Sequence, residues 1–425
     1  MNHFDLRDGE LHAEDVPLAA IAEAVGTPTY VYSSATIERH ARVFRDALAG
    51  IDDPLICFAV KANPNAAVLR TLAAQGYGAD VVSGGEMLRA LAAGVSPERI
   101  IFSGVGKTAD EMALGLSRGI GQFNVESVAE AETLSAVATR IGRPAAMAFR
   151  INPNVDAGTH GKISTGRADD KFGVAYDRAM AAYARAAALP GLSVQGVAVH
   201  IGSQLTDLAP SRATFRRVGE LIAALRADGH VIATADLGGG LGVPYDPARP
   251  LPPTPADYGA VVRETTGGWN VRLIFEPGRV IVGNAGVLLA RVVRVKEGVN
   301  HPFVVVDAGM NDLLRPSLYD AWHDVRAVRP GADRFTAHIV GPICETGDTF
   351  ARDREMERVG EGDLVAFMTA GAYGATMASS YNSRGLTPEV LVRGDQWATV
   401  RERQPVEALL AADRLPPWLK GGNDE

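Results

Sequence analysis

The chain has 425 residues, 47% of them hydrophobic and 22% charged, with a formal net charge of -8 and a pI near 5.7. That length exceeds what one hydrophobic core usually serves, and the composition is that of a globular protein rather than a disordered one. The acidic balance excludes a surface built for nucleic acid or anionic lipid, because phosphates select clustered Lys and Arg; small-molecule chemistry is expected instead, with neither a nucleic-acid nor a membrane partner.

The first ten residues hold no basic start followed by an apolar run, and no later stretch is long and apolar enough to span a bilayer, so a cytoplasmic protein is expected. Its two cysteines, Cys57 and Cys344, are too few for a disulfide framework, and Cys57 lies in an apolar run that suits a reduced core thiol. From residue 26 onward, short apolar, β-branched runs recur at 55–60, 79–82, 99–102, 122–125, 146–151, 194–200, 232–237 and 271–275, separated by segments of helical spacing. Strands alternating with helices pair in parallel through right-handed crossovers, and eight such units predict a closed (β/α)8 TIM barrel over 26–280. An open doubly wound sheet has the same periodicity and stays open as an alternative. The segment 64–75 places Ala66, Leu69 and Leu72 on one helical face, and 84–93 does the same with Met87, Leu88 and Leu91. After residue 280 the runs at 287–295, 303–306, 338–340, 364–367 and 390–392 follow one another with little helix between them. They predict a second, largely antiparallel β-barrel or sandwich domain over 281–425, joined by residues 1–25. Residues 421–425 are expected to be disordered.

In a barrel of this kind reactive groups collect where strands end at the C-terminal face. Lys61 follows the first strand. A lysine amine that loses hydration at a strand end becomes a nucleophile for a carbonyl carbon, whereas a lysine that merely solvates the strand has the same sequence context. His200 and Ser203 follow the sixth strand; His200 suits a stack against an aromatic ring, or a hydrogen-bonded place in the core. Gly238, Gly239 and Gly240 follow the seventh and let backbone N–H groups approach an anion, although a tight turn needs glycines too. Glu276 ends the eighth, where a buried carboxylate needs a partner such as a protonated pyridine nitrogen, and Arg279 has the planar fork that suits a carboxylate.

Further on, Arg315 and Tyr319 lie one helical turn apart, so they share a face. Cys344 and Glu345 occupy a Gly/Pro-rich loop, and Tyr373 stands among small residues. Zinc-like spacing of His and Cys is absent from this region, so no metal site is expected.

In this order, the Lys61 segment, His200-Ile201-Gly202-Ser203, the glycine triplet, Glu276-Pro277-Gly278-Arg279, Cys344-Glu345 and Tyr373 resemble the fold-type III, alanine-racemase-like pyridoxal-phosphate decarboxylases, from about residue 25 to about residue 410. Within that family the likeness is to the branch acting on diaminopimelate. The resemblance implies pyridoxal 5'-phosphate as cofactor, carried by Lys61 as a Schiff base. It implies His200 stacked on the ring with Ser203 nearby, Gly238, Gly239, Gly240 and Gly278 at the phosphate, and Glu276 on the pyridine nitrogen, with Arg279 and Tyr373 also touching the cofactor. Arg279, Arg315, Tyr319, Glu345 and Tyr373 would hold the substrate. Cys344 would be the proton donor, reaching the site from the partner in a homodimer with shared active sites. The implied reaction is decarboxylation of meso-2,6-diaminopimelate to L-lysine and carbon dioxide. The distal amino acid head of that substrate needs cationic groups and an acid, which Arg279, Arg315 and Glu345 supply. Sibling decarboxylases acting on carboxynorspermidine, ornithine, arginine or a secondary metabolite remain alternatives, as does a non-catalytic homologue that binds the same cofactor. A racemase of the same fold is disfavoured by Glu276 and by the intact Cys344-Glu345 pair.

Overall fold

The computed structural model describes residues 2–156 and 171–419; residues 421–425, expected to be disordered, lie outside the described residues. The chain divides into two compact units. The first comprises Met1–His3, Ser33–Gly286 and Gly371–Thr376, the second Phe4–Tyr32, Val287–Ala370 and Met377–Glu425.

The first unit is built on eight parallel strands: β1 (Leu55–Ala59), β2 (Gly78–Val81), β3 (Ile100–Phe102), β4 (Gln122–Val125), β5 (Ala145–Asn152), β6 (Leu192–Ala198), β7 (Thr234–Asp236) and β8 (Arg272–Phe275). Each bound lies within two residues of its expected position. β8 pairs with β1 through Ile274↔Leu55 and Phe275↔Ile56, so the sheet closes and the open alternative is excluded. Side chains alternate across the wall. Leu55, Cys57, Ile101 and Ile274 cluster together, while Phe275 meets Phe44 and Tyr258 of the surrounding helices at centroid distances of 6.5 and 6.3 Å. Burial pushes the Cys57 thiol well above its usual range, as suits an inert core group.

The helices begin on side-chain caps at the strand ends. Ser83 accepts from the N–H of Glu86, Ser127 from that of Glu130, and Thr108 forms a reciprocal box with Glu111. These caps anchor the loops that follow β2, β3 and β4. Two helical faces differ from expectation. On Ala66–Ala74 the buried side is Val68, Leu69 and Leu72, with Ala66 exposed. On Gly84–Ala92 it is Gly84, Met87 and Ala90, while Leu88 is 46% exposed. Neighbouring residues point 100° apart on a helix, so Met87 and Leu88 cannot both face the sheet, and small Gly84 and Ala90 allow the closer approach.

The second unit contains β9 (Gly286–Lys296), β10 (Phe303–Val306), β11 (Val325–Ala327), β12 (Arg334–Val340), β13 (Thr349–Glu357), β14 (Leu364–Phe367), β15 (Glu389–Arg393) and β16 (Gln396–Arg401), with Thr29–Ser33 inserted between β9 and β15. Pairing is antiparallel at β9–β10, β9–β14, β11–β14, β12–β13 and β15–β16, and parallel where β10 meets β12. β11, β13 and β16 were not anticipated; β13 reads Thr-Phe-Ala-Arg-Asp-Arg-Glu-Met-Glu, and its exposed charges hide an apolar run. The N-terminal strands Phe4–Arg7 and Glu10–Ala13 form a hairpin whose Phe4 and Leu11 enter the same core as Val287, Leu289, Val390 and Val392. Among the described residues no helix is long and apolar enough to cross a membrane.

Candidate active site

Lys61 follows β1 in the turn Val60–Ala62, which carries its side chain beyond the strand end. Its Nζ donates to Asp80 Oδ2 at 2.5 Å, and Asp80 pairs across β2 with Ala59 of β1. The Lys61 side chain is 34% exposed and that of Asp80 fully enclosed. Burial pushes the Lys61 pKa down, but Asp80, Glu276 and Tyr373 outweigh it and hold the amine above its ordinary value. Desolvation alone therefore does not set this lysine's chemistry. An ion pair wins, and it fixes the direction of the nitrogen rather than lowering its proton affinity.

Glu276 follows β8 and Asp236 ends the neighbouring β7; both are buried. The two carboxyls are hydrogen-bonded to each other. Ser103 Oγ donates to Glu276 Oε1 at 3.2 Å, Asn124 Nδ2 to Asp236 Oδ2 at 2.8 Å, and the Gly238 N–H to Asp236 Oδ1 at 2.9 Å. Burial, then the charges of Asp236 and Asp80, push the Glu276 pKa well above the carboxylate range. Burial also raises Asp236, but hydrogen bonds from Glu276, Asn124 and Gly238 hold it back. The buried pair therefore holds a proton more tightly than either carboxyl would in water.

His200 lies two residues past β6. Its Nδ1 accepts the Gly239 N–H at 3.2 Å, and burial, then Arg150 and Lys61, hold its pKa well below the usual range. The ring is neutral with its proton on Nε2. Gly238 and Gly240 have φ of 66° and 106°, and a Cβ on Gly239 or Gly240 would lie 2.1 Å from Glu276 O or 2.3 Å from Gly202 O. The triplet is therefore imposed by backbone packing between the loops after β6, β7 and β8. Gly278 lets the next turn press on the Lys61 segment, since a Cβ there would meet that of Ala59 at 3.0 Å. Arg279, 7% exposed, donates to Ser203 Oγ at 3.0 Å and Tyr245 Oη at 2.6 Å and lies over the Tyr373 ring at 4.8 Å. Tyr373 is fixed beside Lys61 by its N–H, which donates to Ala62 O at 2.9 Å. The first unit thus gathers Lys61, His200, Ser203, Gly238, Gly239, Gly240, Glu276, Gly278, Arg279 and Tyr373.

Within the second unit, Arg315 and Tyr319 share the short helix Arg315–Tyr319, Arg315 buried and Tyr319 partly exposed. Cys344 and Glu345 are exposed on the loop 341–348. Buried Asp348 braces that loop by accepting the N–H groups of Ile343 and Met310, each at 2.6 Å, and Ser317 Oγ ties it to the helix by donating to Gly347 O at 2.6 Å. Tyr381 Oη donates to Glu345 Oε1 at 2.5 Å, and the Cys344 N–H donates to Asn382 Oδ1 at 3.4 Å.

Sequence reasoning passed over Asp80, Asp236 and Asn124. Each is a polar residue within an apolar barrel strand, and its need for a buried partner was the available signal. Tyr245, Tyr381 and Asn382 carry no such signal.

Residues 34–283 match the family described as pyridoxal-dependent decarboxylase, pyridoxal binding domain. The chain is 56% identical to a diaminopimelate decarboxylase of Zymomonas mobilis, over 98% of this chain and 99% of that protein. It is 52% identical to one from Pseudomonas aeruginosa, over 98% and 100%. The chain belongs to the diaminopimelate decarboxylase family. The solved structure of the M. jannaschii diaminopimelate decarboxylase in co-complex with L-lysine is similar throughout, with a TM-score of 0.94 at 37% identity and coverage of 99% and 100%. Members of this family are carboxy-lyases, and the cofactor is pyridoxal 5'-phosphate. The residues present fit that group: an amine suits its aldehyde, a buried carboxyl its ring nitrogen, a neutral imidazole its ring face, and a side-chain-free triplet its phosphate.

Proposed function

We propose that the chain decarboxylates meso-2,6-diaminopimelate to L-lysine and carbon dioxide, the last step of lysine biosynthesis. The observation that carries this reading is the Lys61–Asp80 pair in the barrel that also buries Glu276, in a chain alike over 98% of its length to diaminopimelate decarboxylases. Pyridoxal 5'-phosphate, when bound, supplies a sink for the electron pair left on Cα as the carboxylate departs. Lys61 offers the amine that holds it, kept in direction by Asp80. Glu276 keeps a proton at the ring nitrogen, and His200 covers the ring without adding charge. The amides of Gly238, Gly239, Gly240 and Gly278 serve the phosphate.

Substrate contacts are assigned to Arg279, Arg315, Tyr319, Glu345 and Tyr373, because the second amino acid head presents a carboxylate for an arginine and an ammonium for an acid. Cys344 is assigned the transfer of a proton from Sγ to the α-carbon. Its exposure supports donation into the site of a second copy of the chain, hence a homodimer with shared active sites. Both cysteines are free thiols, which agrees with action in the cytoplasm. Purified protein supplied separately with meso-diaminopimelate, carboxynorspermidine, ornithine and arginine tests the reading by carbon dioxide release. Lysine from the first is the expected result; turnover of another substrate with none of the first would overturn it.

A further inference from the structure

We propose that His323 is a positioning residue for Arg315: its imidazole holds the guanidinium in one pose and, being a neutral acceptor, leaves that charge undiminished for an anionic ligand. The proposal rests on the reading above that Arg315 meets a substrate carboxylate.

The local fold makes the pairing. The helix Arg315–Tyr319 ends at Asp320, whose φ of 52° turns the chain back on itself. Two residues beyond His323, β11 begins and pairs with β14 through Val325↔Phe367. That pairing, with the Met368 N–H donating to Asp324 O at 2.8 Å, sets His323 beside the end of β14. Arg354 Nη1 donates to the His323 carbonyl at 2.7 Å and clamps the backbone from a third element.

The chemistry of the side chains then decides the protonation. Arg315 Nη1 lies 2.8 Å from His323 Nε2, and His323 Nδ1 lies 2.9 Å from Met368 O. A guanidinium has five donors and no acceptor, so Nε2 must accept and carries no proton. A carbonyl only accepts, so Nδ1 must donate. Both contacts demand the same neutral tautomer. Arg315 and His323 are 5% and 1% exposed, so the pair is held away from water, where a hydrogen bond to a charged donor is stronger.

The choice of imidazole has a consequence for binding. Arginine's long side chain loses rotamer freedom when it grips a ligand, and an acceptor that fixes it beforehand removes part of that loss from the binding step. A carboxylate at position 323 would fix it equally well, but would cancel its charge and compete with the ligand's own carboxylate. A neutral acceptor orients without competing.

The test compares His323→Gln, His323→Glu and His323→Ala with Arg315→Gln, in the holoenzyme turning over meso-diaminopimelate. The visible band of bound cofactor and thermal unfolding report loading and folding. Glutamine places a neutral acceptor near the Nε2 position and should keep KM within about twofold of the native protein, while alanine should raise KM by about three- to tenfold with kcat little changed, the size of one lost hydrogen bond. Glutamate, despite keeping an acceptor, should raise KM at least as much as alanine. If glutamate behaves like glutamine, the neutral-acceptor argument is overturned. If Arg315→Gln raises KM but His323→Ala does not, positioning by His323 is overturned while the assignment of Arg315 stands. If Arg315→Gln leaves KM unchanged, that assignment has failed, and this proposal fails with it.

Discussion

The barrel mouth and the loop 341–348 solve opposite problems. In the barrel every reactive group is paired with a buried partner: Lys61 with Asp80, Glu276 with Asp236 and Ser103, His200 with the Gly239 amide. On the loop, Cys344 and Glu345 stand exposed, while buried Asp348 braces the base and Tyr381 holds the Glu345 carboxylate. Groups whose protonation must stay fixed are held in a low-dielectric interior, where a neighbouring charge acts strongly. A thiol assigned to give up its proton once per turnover is held open on a braced loop. The largest break in this contrast is Lys61→Ala, which should abolish the visible band of bound cofactor and reduce turnover by about 10^3-fold or more. Cys344→Ala should keep the band and lose about 10^2- to 10^4-fold in lysine formation, the range for a missing general acid. Normal lysine output from that variant would remove Cys344 from the mechanism.

Asp236→Asn sharpens the same contrast from inside the barrel. The Asp236 charge raises the proton affinity of Glu276, so an uncharged amide in its place should let Glu276 ionise at lower pH. Activity on the alkaline side should fall first and by about 10- to 100-fold, the scale of a charge-assisted hydrogen bond of about 1.5–3 kcal/mol. A pH profile of kcat with an unmoved alkaline limb would show that Asp236 does not govern the shared proton.

The two regions also differ in how far they could be read beforehand. Barrel strands were legible because each apolar run ends at a glycine, proline or polar residue, and the reactive groups follow within two residues of the strand end: Lys61 after β1, Glu276 after β8. What escaped was pairing across strands. Asp80 meets Lys61 from β2, and Asp236 meets Glu276 from β7, contacts that follow from the register of neighbouring strands and not from any local pattern. In the second unit β13 escaped because a strand with one solvated face alternates charges with apolar residues, and Gly371–Thr376, which carries Tyr373, packs with the barrel although it lies far along the chain. Asp307-Ala308-Gly309-Met310-Asn311-Asp312 was legible as a loop after a strand, but not as a buried acid site.

That acid site yields the smallest effect and a control for the barrel carboxyls. Asp312 is 1% exposed; its Oδ2 accepts the Gly309 N–H at 2.9 Å and lies 3.5 Å from Arg384. Burial raises its pKa to about 6 from the ordinary 3.8, with Gly309 and Arg384 holding it back. A carboxyl whose folded pKa is raised contributes stability that is fully present below its unfolded pKa and is lost as pH climbs through the folded one. Asp312 should therefore cost stability progressively between about pH 4 and pH 6, to a ceiling of about 3 kcal/mol at 1.36 kcal/mol per unit. Asp312→Asn cannot ionise, so its Tm relative to the native protein should rise by about 1–3 °C from pH 4 to pH 7, at roughly 1 °C per kcal/mol for a chain of this length. Turnover at neutral pH should change little. A Tm difference that is flat with pH would mean that Arg384 neutralises Asp312 fully, leaving Glu276 and Asp236 as the buried carboxyls whose shared proton matters.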